Sequence, residues 1–148
     1  MNKPFEQYFQ ESYGQPFTYE GKTIQISLRQ LLKENSTCSL ENFKTNSDWR
    51  QGIVVRAVKG DLKFKDQINS GFVFWEENFG DSIDITFLKG KILLIYNVWD
   101  TGNGTMQYGH NGAGINVVEN EGRITLNCND AHPTAELNHL VFDLKIEK

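Results

Sequence analysis

The sequence predicts an α+β fold: a curled antiparallel sheet of about seven or eight strands with an N-terminal helix packed on it. Three observations lead there. Short β-branched or alternating runs follow one another across tight turns, whereas parallel neighbours would need crossovers of a dozen residues or more. One amphipathic aromatic segment stands at the start. The 148 residues, 39% hydrophobic and free of repeats, low-complexity tracts or linkers, suit one globular domain over residues 1–148.

The elements follow in order. Phe5, Tyr8, Phe9 and Tyr13 recur at helical spacing, with Pro4 set for the first turn and Gly14 placed to end the helix. Phe17-Thr-Tyr-Glu and Thr23-Ile-Gln-Ile flank Gly21-Lys22 as a hairpin. Ser27 with Gln30 has the form of a capping box and predicts a short helix through Leu28, Leu31 and Leu32. Residues 35–49 are polar without a clear period and read as a loop anchored by Trp49. Strands then follow at Ile53–Val58, Phe72–Trp75 and Ile83–Phe87, the last with a wet face at Asp84 and Thr86. Ile92–Trp99 is apolar on both faces and reads as a central strand. Ile115–Val118 and Arg123–Cys128 flank Glu119-Asn-Glu-Gly as a second hairpin, and Leu140–Ile146 alternates strictly.

Charge is uneven. Residues 1–75 carry 10 basic and 8 acidic side chains, residues 76–144 carry 3 and 10, and the whole chain has a formal charge of −4. Such a balance disfavours nucleic-acid backbone binding. It does suit a negative surface that steers a basic protein partner, with Glu76, Glu77, Asp81, Asp84, Asp100, Glu119 and Glu121 as the expected contact residues. There is no apolar run of membrane-spanning length and no apolar leader at the start, so the expected location is the cytoplasm. Cys38 and Cys128, far apart and in no metal-type array, read as two reduced thiols.

Catalytic and cofactor patterns fail on spacing. The glycines at 102 and 104 precede Gln107 where a phosphate-cradling loop wants a third glycine, and the next element is a strand. His110, His132 and His139 lack the short spacing of a zinc site, so any convergence, such as Asp100 with His110 and His132, would have to come from folding. The expectation is therefore no enzyme, no cofactor and no specifically bound metal or nucleotide. The long glycine-rich loop leaves one alternative open, a small-ligand or carbohydrate-binding β-domain using Trp99, Tyr108, His110 and Asn111.

The stretch Gly112-Ala-Gly-Ile-Asn-Val-Val-Glu-Asn-Glu-Gly-Arg-Ile-Thr-Leu, a tenth of the chain, resembles the glycine-led terminal hairpin of some immunity proteins of bacterial toxin systems. These include the contact-dependent growth inhibition and other polymorphic toxin systems. The small size, acidity and single domain are similar in type. The resemblance implies a protein that binds one cognate toxin, here a basic nuclease, and covers its active site. Acidic side chains on turns would stand in for nucleic-acid phosphates.

Overall fold

The computed structural model describes residues 4–108, 112–132 and 136–147. These residues form one helix and thirteen strands in two antiparallel sheets, rather than the single sheet of seven or eight strands expected. Helix α1 spans Phe5–Glu11. The strands are β1 Phe17–Tyr19, β2 Lys22–Gln25, β3 Leu28–Leu31, β4 Ser36–Thr45, β5 Arg50–Val58, β6 Asp61–Phe64 and β7 Gln67–Asn69. Then come β8 Gly71–Trp75, β9 Ser82–Lys89, β10 Ile92–Asp100, β11 Gly114–Asn120, β12 Arg123–Asn129 and β13 Leu140–Glu147. The large sheet has the order β1-β2-β11-β12-β13-β4-β9-β6-β7, and the small one β3-β10-β5-β8.

The core lies between the sheets. Leu40 from β4, Phe87 from β9, Leu126 from β12 and Phe142 from β13 meet Ile53 from β5 and Leu93 and Ile95 from β10, all buried. Alternation of side chains along each strand makes this possible, since every second residue faces the opposite sheet. Helix α1 covers the other end, where buried Phe5 and Phe9 join Ile24 and Leu137 with rings of Tyr8, Phe17 and Tyr19 around them. Phe5 packs edge-on to Phe17 and Tyr19, at centroid distances of 5.6 and 5.2 Å.

Both expected hairpins form, and their turns have a common chemistry. Glu20-Gly21 and Glu121-Gly122 have positive φ at both positions, the geometry that matches the twist of the flanking strands. The first turn is therefore Glu20-Gly21, one residue earlier than expected. Strand β10 is interior as expected, paired to β3 on one side and β5 on the other. Its Leu93 and Ile95 point into the core, while Leu94 and Tyr96 lie half-buried on the outer face.

Two expectations were overturned. The capping-box segment is strand β3, whose Leu28 pairs with Ile95 and whose Leu31, 75% exposed, pairs with Ile92. A helix of this length cannot sustain itself without packing, and the open edge of β10 offers backbone partners instead. Residues 36–45 are not loop but β4, ten residues long, with Ser36, Cys38 and Leu40 facing inward. Small polar side chains at core positions hide the period from a hydrophobic reading. Strands β6 and β7 add a further hairpin that extends the sheet beyond β9.

Candidate functional site

Three of the seven acidic residues converge. Arg50, the first residue of β5, lies beside the 3-10 turn Glu76–Asn78 and opposite Asp100 of β10. Its guanidinium donates from Nε and Nη2 to both carboxylate oxygens of Glu77 and sits 4.2 Å over the Trp75 ring. Asp100 Oδ2 is 3.8 Å from Nη1. Glu76 accepts the Gln51 amide at 2.7 Å. The Arg50 hydrogen bond holds the Glu77 carboxyl below its ordinary range, and in return raises the guanidinium. Three carboxylates therefore face one cation, leaving an excess of negative charge at this end of the small sheet.

The other four acidic residues lie elsewhere. Glu119 is near the end of β11 and Glu121 is in its turn, both exposed. The neighbouring Arg123 is drawn away to Glu41 and Asp143, at 3.1 and 3.2 Å. Asp81 is exposed just before β9. Asp84 accepts Ser39 Oγ at 2.7 Å and lines a cleft of about 510 Å³ with Lys63, Lys65 and Lys145, so its charge is locally balanced.

The glycine-rich loop is tied at its base. Asp100 Oδ1 accepts the amides of Gly102 and Gly104, at 2.8 and 3.1 Å, and Gln107 bridges back to Trp99. Trp99 is fully buried, so it presents no stacking face, contrary to the ligand-loop expectation. Tyr108 is 57% exposed and stands 5.6 Å from Tyr96, centroid to centroid. Both line a cavity of about 240 Å³ with Arg56, Leu94 and Asn97. His110 and Asn111 lie outside the described residues.

A cluster that the spacing argument did not single out forms where β12 ends and β13 begins. Asp130 is fully buried, and its Oδ2 accepts Ser47 Oγ at 2.6 Å and Gln51 Nε2 at 3.0 Å. Its Oδ1 accepts the His132 amide at 3.0 Å and lies 2.5 Å from His132 Nδ1. His139, 4% exposed, accepts the Asp130 amide at Nδ1, 3.0 Å away. Trp49, expected as an anchor, lies over His132 at 4.0 Å. Burial pushes the Asp130 carboxyl up, but the bonds from Ser47 and His132 outweigh it and hold the carboxyl below its ordinary value. Burial lowers the His139 imidazole below its ordinary value against the pull of Asp130. Asp100 takes no part in this cluster; Asp130 and His139 stand where Asp100 and His110 were considered. The Asp-x-His pair at 130 and 132 was visible in the sequence, but its meeting with His139 depends on the β12–β13 pairing, in which the His139 amide bonds to Cys128.

No protein-family model, curated protein or solved structure matches the chain. Among the described residues no helix is long and apolar enough to cross a membrane.

Proposed function

We propose that this chain is an immunity-type protein that binds and neutralises a cognate protein toxin, a basic nuclease, through its acidic surface in the cytoplasm. The observation that supports this reading most is the gathering of Glu77 and Asp100 at Arg50, with Glu76 held beside them by the Gln51 backbone amide. Asp100 is buried, contrary to its expected role as a contact residue, so the carboxylates that a basic partner meets here are the exposed Glu77 and half-buried Glu76, already positioned and losing little freedom on association. Glu119 and Glu121 add negative charge at a hairpin tip whose own arginine is engaged elsewhere.

The test is association of the purified chain with the basic product of a neighbouring gene, followed at rising salt. The on-rate is expected to fall as salt rises, because the steering field is screened beyond about 8 Å at physiological ionic strength. Glu119→Lys and Glu121→Lys are expected to slow association while leaving the fold intact, since both side chains are exposed. Glu77→Gln, which releases Arg50, is expected to speed dissociation. On-rates and off-rates unchanged in all three variants would move the interface away from these carboxylates.

A second reading has its own observation. Tyr96 and Tyr108 with Arg56 and Asn97 line a cavity of about 240 Å³, enough for a small polar ligand and below the usual 300–1,000 Å³ of drug-sized sites. A monosaccharide panel that perturbs Tyr108 signals in the native chain but not in Tyr108→Ala would favour this site over the protein partner.

A further inference from the structure

We propose that Asp130, His132 and His139 form a binding site for one divalent first-row transition metal ion, with Zn²⁺ as its representative. One carboxylate and two imidazoles each offer a ligand atom, and these atoms all lie within 4.8 Å of one another. An ion bonded to nitrogen and oxygen at about 2.0–2.2 Å fits inside that spread. The donor set selects the class. Imidazole suits zinc, nickel, cobalt and iron, whereas magnesium and calcium take oxygen ligands.

The surroundings match the outer shell that metal ligands need. A ligating carboxylate is usually hydrogen-bonded in turn, and Ser47 Oγ and Gln51 Nε2 both hold Oδ2 of Asp130. Oδ1 is left facing the two rings, 2.5 Å from His132 Nδ1 and 3.3 Å from His139 Nδ1. The His132 contact has a proton between its partners. The His139 contact has none: that nitrogen's single lone pair accepts the Asp130 amide, so an ion bound there would take the place of that hydrogen bond. Gln51, also fully buried, leaves its Oε1 without a hydrogen-bond partner in the same shell. The groove lined by Thr45, Asn46 and Glu136 opens onto both histidines and leaves room for water or a further oxygen ligand.

The experiment adds Zn²⁺ or Co²⁺ alone to the full-length chain after chelator treatment, in competition with a chromophoric chelator. One ion per chain is expected. With Co²⁺, a visible ligand-field band and quenching of Trp49, which lies over His132, should appear at the same stoichiometry. His132→Ala and His139→Ala should each weaken binding by ~100-fold or more, and Ser47→Ala, which removes an outer-shell donor, by roughly 10-fold. If His139→Ala fails to fold, the partly exposed His132 decides, since its ring lies at the edge of the cluster rather than inside it. Uptake by the native chain no tighter than by His132→Ala, or an ion-to-chain ratio well below one, overturns the proposal.

Discussion

Asp143 shows how one half-buried carboxylate can hold several strands. It accepts Thr125 Oγ1 at 2.6 Å, Asn42 Nδ2 at 2.8 Å and Arg123 Nη1 at 3.2 Å, linking β12, β4 and β13. Burial raises its pKa, but these three donors outweigh that and hold it below the ordinary value. The stability it supplies is therefore present above the unfolded pKa of about 3.9 and is lost as pH falls through the lower folded value. Asp143→Asn should cost about 1–3 kcal/mol at pH 7. In urea titrations the gap to the native chain should close on acidification below about pH 4. A gap that persists there would assign the loss to shape rather than charge. The cysteines make a second case at this scale. Both are free and buried, and burial pushes Cys38 up to about 11 and Cys128 higher still. A thiol-specific reagent at pH 8 should label neither in the native chain and both once denaturant is added. Rapid native labelling of either would place it at the surface.

Among the elements, β10 carries the clearest consequence. Its two faces differ: Leu93 is buried between the sheets, while Leu94 lies half-buried beside Tyr96. Leu93→Ala should cost about 2–5 kcal/mol, and Leu94→Ala distinctly less, read from denaturant midpoints. Equal losses would mean that the outer face is as tightly covered as the core. The β11–β12 turn offers a complementary test. A methyl group added at Gly122, with φ of +80°, meets no atom within 4 Å. Gly122→Ala should thus lose only the backbone term for a left-handed residue, about 1–2 kcal/mol. A larger loss would mean that the hairpin register shifts with the turn.

For the whole molecule, β5 separates the carboxylates around Arg50 from the histidine cluster by presenting consecutive residues to opposite sides. Arg50 and Gln51 are consecutive on β5 and point to opposite faces, as strand neighbours must. Arg50 joins the exposed Glu77, while Gln51 reaches the buried Asp130. The two proposed sites can therefore be tested independently. Disrupting the metal ligands with His132→Ala should leave the salt dependence of partner association unchanged, and Glu77→Gln should leave metal uptake unchanged. Coupling in both directions would show that β5 transmits strain between them.

The residues alone determined what local periodicity determines. The aromatic face of α1, the two hairpins (the first turn to within one residue), the strict alternation of β9 and β13 and the doubly apolar β10 were legible, because each depends on neighbours in sequence. The charge bias of residues 76–144 was legible for the same reason. Tertiary structure alone decided the division into two sheets, since pairing partners such as β4 and β13 are distant in sequence and their register shows no local mark. It made β3 a strand by offering the β10 edge. It also brought Asp130, His132, His139 and Ser47 together, which no spacing rule reveals, because a cross-strand meeting is set by register rather than by distance along the chain.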